Sequence, residues 1–374
     1  MTSTIQNQYY PDVVSCPGEI LAETLEERNM TQSELSLRMG RPEKTISEII
    51  NGKSAITPET ALQLERVLDI PARFWNNCEQ HYRDSLARKQ QQGYLSTQLD
   101  WSKQFPYAEM SKLGWVKKTR KPEDRLDALL SFFSVVSPEQ YQSFWQNQAL
   151  AFRKSNAFDS NWNATNAWLR QGELQVANIQ TAPYQADLFK KSLHDIRSLT
   201  IHPIESSIQA LVNQCAKAGV AIVFVPTIKG VHASGVMRWL TPEKALIQMS
   251  LRYKRDDHFW FTFFHEARHV LQEKKKQTFI DVQDIQDYNS QDELEQDASK
   301  FAADFLISPS EFKAFCQKHR FDEQTILDFA DRLRISPGIV AGRLQREKIL
   351  EHYQCKSLFK KIDWDVLRLQ LRTY

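Results

Sequence analysis

The spacing of apolar positions changes along the chain and separates helical regions from a short β region. Residues 17–90 and 100–200 repeat apolar side chains every three or four positions, which is typical of amphipathic helices. Three short β-branched and apolar runs follow, at 219–226, 231–240 and 245–250. The helical spacing returns at Phe259 and continues to the end of the sequence. The pattern predicts a mainly α protein with one small sheet.

The first region has the spacing of a helix-turn-helix. Thr31 and Glu34 form a capping box that starts a short helix, and Gly40 supplies the turn after it. Pro42 opens the next helix, which ends at Asn51. The apolar face of this second helix carries Ile46, Ile49 and Ile50. Two short helices joined by a glycine turn, with a third packed behind, are the arrangement that lays a recognition helix in the DNA major groove.

Six polar side chains of this motif are candidates for DNA contacts. Three project outward from the second helix and can reach base edges or phosphates, namely Lys44, Thr45 and Ser47. Three others are placed for phosphate contacts, namely Gln32, Arg41 and Lys53. The predicted partner is therefore double-stranded operator DNA, and we expect a homodimer if that DNA is palindromic.

Charge leaves open a second interpretation of the motif, a helical bundle that only docks protein partners. Residues 1–90 hold 10 Lys and Arg against 13 Asp and Glu, a net charge of −3, whereas DNA-binding domains are often basic. Within 28–53, however, there are 5 Lys and Arg against 3 Asp and Glu, so the motif itself is weakly positive. Within 86–121 there are 8 against 2, so the next element could supply phosphate contacts. The spacing of the motif favours DNA binding over a simple bundle.

The same residues carry a resemblance to a known family. The stretch from Gln32 to Ile49, with the preceding residues 17–21 (PGEIL), resembles the Cro/repressor-type helix-turn-helix of HigA-like antitoxins. The resemblance covers roughly residues 15–80 and implies operator binding beside a toxin partner. Arg41 departs from the family, which usually has an apolar residue bracing the turn; Met39 can take that part.

A second motif predicts a metal centre. His265, Glu266 and His269 lie in a run without proline or glycine, so one helix places both imidazoles on the same face. Zinc binds two such nitrogens and a carboxylate and keeps its fourth position open for water. Glu266 lies beside them and can accept a proton from that water as general base.

Paired histidines can instead be ordinary core residues, but their angular placement argues against this. At about 100° per residue, the apolar side chains of the helix gather on one side, and His265 and His269 project roughly opposite with Thr262. We therefore expect the two histidines to face a cleft.

A later helix offers the third ligand. Its apolar stripe is defined by Leu294, Ala298, Phe301, Ala302, Phe305 and Leu306. Glu295 lies roughly 60° from the centre of that stripe and Glu293 roughly 140° away, which favours Glu295. A solvated acid at a helix N-terminus is the alternative for Glu295, because the helix dipole favours an acid there anyway.

These segments resemble the ImmA/IrrE-type metallopeptidase family. The resemblance rests on residues 252–269 (RYKRDDHFWFTFFHEARH), 295–306 (EQDASKFAADFL) and 335–345 (ISPGIVAGRLQ). It implies a gluzincin-like site that holds one Zn2+ per chain, with His265, His269 and Glu295 as ligands and Glu266 as base. It also implies cleavage of a regulatory protein, often a repressor. Arg268 departs from the family, which commonly has a small or apolar residue there.

The two resemblances and the helical pattern together predict a domain order. We expect a helix-turn-helix bundle over 15–90, a helical middle region over 95–200, and a small α+β zincin-like domain over 201–350 with C-terminal helices to 374. In the last domain the short sheet packs on the zinc-binding helices. The glutamine-rich piece at 89–93 is the candidate linker, although glutamine can equally continue a helix.

Composition and cysteine usage narrow the setting. The net charge of +2 and a 41% share of hydrophobic residues are ordinary for a soluble globular protein. The five cysteines are scattered, which fits reduced thiols in the cytoplasm and leaves any metal to nitrogen and oxygen ligands. We find neither a secretory signal nor an apolar run long enough for a bilayer, so we expect no membrane partner.

Three functions are compatible with these motifs. The first is a transcriptional regulator that binds operator DNA and cleaves a regulatory protein, in a toxin–antitoxin or stress-response system. The second is a HigA-like antitoxin and autorepressor whose zinc domain is structural and docks a toxin without proteolysis. The third is a peptidase whose helix-turn-helix serves only protein contacts.

Hydrolysis also needs a donor for the oxyanion, and spacing does not identify one. His232, Arg238 and Tyr288 are candidates, although each residue type is more often a surface or packing residue. By analogy, an exposed edge of the small sheet could bind an extended substrate as an added strand.

Overall fold

Helices form most of the protein, and a small sheet lies in its second half. The computed structural model describes residues 14–152, 161–250, 252–272, 279–281, 293–363 and 365–367. Contacts divide the chain into two units, one within 1–98 and the other within 99–374. The prediction of a mainly α fold with a small α+β part is confirmed, whereas the three-domain division stays a prediction.

Five helices form the first unit. They are α1 (Pro17–Glu27), α2 (Gln32–Met39), α3 (Glu43–Ile50), α4 (Pro58–Leu68) and α5 (Ala72–Ser96). Their shared core includes the fully buried Leu21, Leu35, Ile46, Leu64 and Trp75.

Local sequence signals set the helix-turn-helix geometry. The Thr31 hydroxyl accepts a hydrogen bond from the backbone N–H of Glu34 at 3.1 Å and so caps α2. Gly40 ends this helix in the left-handed conformation with φ of 66°, where glycine carries no steric cost. A Cβ at Gly18 would lie 2.1 Å from the backbone oxygen of Ile49, so only glycine lets α1 cross the end of α3 this closely.

The candidate linker at 89–93 is helical. It lies inside α5, a helix of 25 residues. Of the two possibilities that glutamine allows, the helical one is therefore correct. Gly93 has a low helix propensity, but α5 continues through it to Ser96. The helix is exposed along this stretch.

The second unit begins with helices and continues into a sheet. Its first helices are α6 (Leu99–Ser102), α7 (Tyr107–Lys112), α8 (Pro122–Phe133), α9 (Pro138–Phe152), α10 (Trp162–Val176), α11 (Ala186–Ser198) and α12 (Ile204–Lys217). The strands are β1 (Val220–Phe224), β2 (Gly235–Thr241), β3 (Lys244–Met249) and β4 (Phe279–Asp281). The later helices are α13 (Asp256–Leu271), α14 (Glu293–Leu306), α15 (Pro309–Cys316), α16 (Glu323–Leu333) and α17 (Pro337–Arg346). Short 3-10 helices cover Leu199–Ile201 and Lys356–Leu358.

The strand order is β1-β3-β2-β4. β1 and β3 are parallel, with Val220 opposite Ala245, and β2 pairs antiparallel with both β3 and β4. The three predicted strands are therefore present, and β4 adds a short fourth strand after α13. All five residues of β1 are buried, so this edge of the sheet is closed to an added peptide strand.

The helical middle region packs directly on the sheet through α10. The Trp168 indole donates to the backbone oxygen of Val225 at 2.9 Å, and the Gln248 amide of β3 donates to the Trp168 backbone oxygen at 2.7 Å. A Cβ at Gly172 would collide with the Gln248 side chain, so glycine permits this contact. Because Trp101 and Trp145 are also buried, the tryptophans at 101, 145 and 168 form part of the core.

α13 lies at the centre of the second unit and contacts β2, β3, α14 and α17. Two glycines of α17 allow a close approach to its first turn. Added Cβ atoms at Gly338 and Gly342 would lie 2.7 and 2.6 Å from carboxylate oxygens of Asp256 and Asp257. The C-terminal segment therefore holds the N-terminal end of the helix that carries the histidines.

Disulfides do not contribute to this fold. All five cysteines are free, which agrees with the scattered positions in the sequence. Among the described residues, no helix combines the length and the apolar character needed to cross a membrane.

Candidate metal centre and nucleic-acid interface

Three predicted side chains meet between α13 and α14. The Nε2 atoms of His265 and His269 lie 3.1 Å apart, one helical turn from each other. Glu295 of α14 places one carboxylate oxygen 3.0 Å from Nε2 of His265 and the other 3.4 Å from Nε2 of His269. Candidate ligand atoms of all three residues lie within 4.8 Å of one another. The structure thus brings together the pair of histidines and the acid that the angular argument selected.

Two residues that the sequence did not single out hold the imidazoles in place. The Ser299 hydroxyl lies 3.2 Å from Nδ1 of His265, and the Gln272 amide oxygen lies 3.0 Å from Nδ1 of His269. An acceptor at Nδ1 favours the tautomer that carries its proton there. Both Nε2 lone pairs are then directed at the point that the Glu295 carboxylate also faces.

Helices α13 and α14 are fastened together next to this cluster. Ala298 and Ala302 are fully buried, and their small side chains allow the two helices to approach closely. Arg268 donates to Asp297 at 2.7 Å, and its guanidinium lies 5.3 Å from the centroid of the Phe301 ring. The departure from the family pattern at Arg268 therefore supplies a clamp between the two helices.

Glu266 points to the opposite helix face from the clamp, towards β2. It is fully buried, as are both histidines. A Cβ at Gly235, the first residue of β2, would lie 2.7 Å from Oε1 of Glu266 and 2.7 Å from Cγ2 of Thr262. Gly235 therefore provides the space that the Glu266 carboxylate occupies, and a glycine at a strand start is the sequence signal that could have indicated it.

The cluster favours a charged carboxylate at Glu295. Burial alone would raise the pKa of the Glu295 carboxyl, but in the metal-free protein hydrogen bonds and positive charge from protonated His265 and His269 outweigh burial and hold this pKa well below its usual value of 4.5. In the same way, Arg268 and Gln272 outweigh the effect of burial on Asp297 and lower its pKa. A negative Glu295 beside two imidazoles is the donor set that a divalent cation requires.

The donor set fits zinc by type and by spacing. Zinc binds histidine nitrogen and carboxylate oxygen at about 2.0–2.1 Å in a tetrahedron, which separates neighbouring ligand atoms by roughly 3.3 Å. The two Nε2 atoms lie 3.1 Å apart, and the nearest Glu295 oxygens lie 3.0 Å from Nε2 of His265 and 3.4 Å from Nε2 of His269. The outer hydrogen bonds from the two Nδ1 atoms to Ser299 and Gln272 complete the type of support that metal-binding histidines normally have.

Other expectations about this region need correction. The predicted cleft in front of the histidines is not seen among the residues that the structure describes, because both imidazoles are fully buried. Arg238 is unsuited to an oxyanion, since it is buried and its guanidinium donates to Glu173 at 2.8 Å and to the backbone of α10. His232 is exposed, and its backbone oxygen accepts from Arg252. Tyr288 lies outside the described residues.

The predicted DNA-contact residues lie on α2, on α3 and on the turns beside them. Lys44 has a side chain that is 86% exposed and lies 3.9 Å from Glu48 on the same helix face. Thr45 and Ser47 are half-buried, and Lys53 is exposed.

Gln32 and Arg41 are half-buried rather than freely exposed. Arg41 bonds to the amide of Gln63, and its guanidinium lies 3.6 Å from Glu59, so it ties the turn to α4. Met39 is buried in the core of the unit, which agrees with its expected part in bracing the turn.

Comparison with known families finds two matches, one in each unit. The profile of the helix-turn-helix family matches residues 21–75, and that of the IrrE N-terminal-like domain matches residues 229–345. Both resemblances in the sequence are thereby confirmed. The His265, His269 and Glu295 cluster lies inside the second match.

Individual proteins similar to this chain match about a fifth of its length. The Escherichia coli (strain K12) protein YddM, described as an uncharacterized helix-turn-helix-type transcriptional regulator, is 33% identical over 73 residues, which are 20% of this chain and 78% of that protein. A HigA-family addiction module antidote protein from Coxiella burnetii is 30% identical and matches over 22% of this chain and 92% of its own, with a TM-score of 0.21. The structure of Pseudomonas aeruginosa antitoxin HigA with the higBA promoter gives 26% identity, 22% and 91% coverage, and a TM-score of 0.21.

Proposed function

We propose, since this chain belongs to the helix-turn-helix family and carries an IrrE N-terminal-like domain behind it, that it is a cytoplasmic transcriptional regulator with a zinc-dependent endopeptidase domain. It binds double-stranded operator DNA as a homodimer and cleaves a regulatory protein in a toxin–antitoxin or stress-response system. The observation that carries the peptidase is the convergence of His265, His269 and Glu295 beside the buried carboxylate of Glu266.

The residues of the cluster would divide the work of hydrolysis. His265, His269 and Glu295 would hold one zinc ion, which supplies Lewis acidity and lowers the pKa of a bound water. Glu266 accepts the proton of the attacking water and passes it to the leaving nitrogen. Gly235 leaves room for this carboxylate beside β2, and Ser299 keeps the His265 ring in a single orientation.

Substrate binding as an added strand is compatible with the sheet at one edge only. β1 is buried, and the opposite edge is β4, where Asp281 pairs with Gly235. Because β4 lies between this edge and β2, a peptide added beside β4 would lie roughly 9–10 Å from Gly235, the residue that adjoins Glu266.

Burial of the cluster favours one competing function. His265 and His269 are fully buried, as expected for a structural metal site in a HigA-like antitoxin and autorepressor that docks a toxin without cleaving it. A structural site, however, has no use for a second buried carboxylate beside its ligands. Keeping Glu266 in this position is costly, since burial disfavours a charged carboxylate.

Metal content and cleavage separate the two functions. We expect nearly one zinc per chain in the wild type and in Glu266→Gln, and much less in Glu295→Ala. Cleavage of the regulatory protein by wild type but not by Glu266→Gln supports the peptidase. A Glu266→Gln variant that keeps zinc and full function in cells would establish the structural alternative. A wild-type protein that takes up no zinc when it is supplied would exclude both.

The helix-turn-helix has a separate test. Specific binding to the promoter of its own gene, lost in the double variant Lys44→Ala and Thr45→Ala, supports the operator-binding function. Retained binding in that variant would assign the motif to protein contacts.

A further inference from the structure

A cavity lies beside the predicted metal centre and shares no residue with it. It lies between the N-terminal half of α13, the end of α14 and α17, is partly open to solvent, and has a water-accessible volume of about 60 Å³. This volume has room for a small polar group, while the rest of a ligand would extend towards the open side. Phe261 separates the two places, because its ring lines the cavity and lies 6.2 Å from the ring of His265.

The wall of this cavity is apolar on one side and cationic on the other. The apolar side is formed by Phe261, Ala303, Leu306, Ile307 and Ile339. The cationic side carries three arginines and two histidines, namely Arg255, Arg343, Arg346, His258 and His352. Asp257 is the one acid that lines the described cavity, so the lining carries a net charge of +2 even with both histidines neutral.

Two of the arginines are held in fixed orientations. Arg255 donates two parallel hydrogen bonds to Asp257, at 3.0 and 2.8 Å, and its guanidinium lies 3.5 Å from the centroid of the Phe359 ring. The Arg346 guanidinium lies 3.3 Å from the centroid of the Phe261 ring. Guanidinium groups held on aromatic rings in this way lose little freedom when they bind an anion.

The third arginine belongs to the structure rather than to the cavity. Arg343 donates to the backbone oxygens of Ala303 and Ile307, both at 2.6 Å, and to the Asp304 carboxylate at 3.1 Å. It therefore caps the C-terminal end of α14. Arg255 and Arg346 are the guanidiniums best placed to meet a ligand.

The cations raise the electrostatic potential in the cavity. The pKa of His258 falls to about 3, first because the ring is buried and then because Arg255, Arg346 and His352 lie near it. The ring is also stacked on Tyr253, with centroids 4.4 Å apart. His258 is therefore neutral, and an anion bound among these groups would relieve their mutual repulsion.

We propose that this cavity binds a small organic anion, with a carboxylate or phosphate group against Arg255 and Arg346 and an apolar body against Phe261 and Ile339. Charge-assisted hydrogen bonds to guanidinium are the strong contacts for either head group. The apolar wall excludes a bare inorganic ion as the best ligand, because that wall would gain nothing from it. The bound molecule would lie one side chain away from His265.

Calorimetric titration of the full-length protein tests the proposal. The probes are phenyl phosphate, benzoate, the uncharged benzamide and inorganic phosphate. We expect at least one of the two aromatic anions to bind roughly tenfold more tightly than both benzamide and inorganic phosphate. Tighter binding of phenyl phosphate identifies a phosphate ligand, and tighter binding of benzoate identifies a carboxylate. Equal affinity for benzamide and the anions would overturn the proposal.

Matched arginine variants locate the binding. Arg346→Leu keeps an apolar cover on Phe261 and should weaken the anion on the order of tenfold. Arg332→Leu is the control, because Arg332 also stacks on an aromatic ring, Phe329, at 5.1 Å but does not line the cavity. His352→Ala is a second cavity variant at an exposed position, and circular dichroism checks that each variant is folded. Equal anion affinity in wild type and both cavity variants would overturn the proposal.

A bound metal is the remaining competitor for the probes. Titration of Glu295→Ala, which lacks the third proposed ligand, should give the wild-type affinity for the anion. Loss of binding in Glu295→Ala together with full binding in Arg346→Leu would place the anion on the metal and overturn the proposal.

Discussion

The hydroxyl of Ser299 lies 3.2 Å from Nδ1 of His265, on the side of the ring away from Glu295. Ser299 follows Glu295 by four residues, so one face of α14 supplies both a carboxylate to Nε2 and an acceptor to Nδ1. The same ring is thereby held at both nitrogens, which fixes its tautomer as well as its direction. For His269, the acceptor at Nδ1 is the side-chain oxygen of Gln272.

Removal of these outer hydrogen bonds should weaken zinc binding without abolishing it. We expect Ser299→Ala and Gln272→Leu each to lower zinc affinity on the order of tenfold, because the imidazoles lose a fixed tautomer while all three proposed ligands remain. Competition with a chromophoric chelator measures the affinity. Ser206→Ala on the exposed surface of α12 is the control. Wild-type affinity in both outer-bond variants would show that the two contacts do not position the rings.

The space at Gly235 predicts a variant that separates metal binding from cleavage. Gly235→Ala places a methyl group 2.7 Å from Oε1 of Glu266, so the carboxylate must move. We expect zinc content to stay near the wild-type level and the cleavage rate to fall by about a hundredfold, since a displacement of about 1 Å can cost this much. Zinc analysis and a cleavage assay on the same preparation measure both.

The control for this variant is Gly93→Ala. No atom lies within 4 Å of a Cβ at Gly93, which is helical and exposed, so alanine there should be neutral or slightly stabilising. Undiminished cleavage by Gly235→Ala would remove Glu266 from the position assigned to it, and loss of zinc would show that the disturbance reaches the ligands.

The metal cluster could be predicted from the sequence because helical geometry fixes it locally. His265 and His269 share a helix face by spacing alone, and the apolar stripe of α14 distinguishes Glu295 from Glu293. Glu295 comes from another helix, but its direction follows from the stripe that must face α13. These arguments need only the period of a helix and the rule that apolar faces pack together.

The supporting contacts could not be predicted because they depend on how distant elements approach each other. A glycine at a strand start indicates that some group approaches closely, but no local pattern shows that the group at Gly235 is Glu266, 31 positions later. Arg238 was a candidate oxyanion donor in the sequence because its ion-pair partner, Glu173, lies 65 residues earlier on α10 and no local pattern identifies that pairing. The burial of both histidines likewise results from the packing of several elements around α13.

The lowered pKa of Glu295 predicts a pH-dependent contribution to stability in the metal-free protein. A carboxyl whose pKa is lower in the folded state stabilises the fold above its unfolded value, 4.5, and loses this contribution as pH falls through the folded value. The difference in unfolding free energy between wild type and Glu295→Gln should therefore be present above pH 4.5 and shrink as the pH falls below that value. Urea unfolding of both proteins at several pH values, with a chelator present, measures it. A difference that grows as the pH falls would contradict the assigned direction.

The exposed Lys44 gives the sharpest test of the DNA interface. Its side chain is 86% exposed and pairs only loosely with Glu48, so Lys44→Ala should leave the fold intact. If Lys44 contacts a phosphate, the variant should bind every DNA sequence more weakly and reduce the slope of log affinity against log salt by about 0.9. Thr45→Ala should instead reduce the preference for the operator over unrelated DNA, as expected for a side chain that meets base edges.

Fluorescence anisotropy at several salt concentrations distinguishes these effects, with Lys89→Ala as the control. Lys89 lies on the exposed part of α5, outside the helix-turn-helix. Lys89→Ala therefore removes the same charge from the same unit as Lys44→Ala does. A change of slope in Lys44→Ala but not in Lys89→Ala assigns a phosphate contact to α3. Equal changes in both would mean that only the overall charge of the unit acts on DNA, and α3 would then not be the recognition helix.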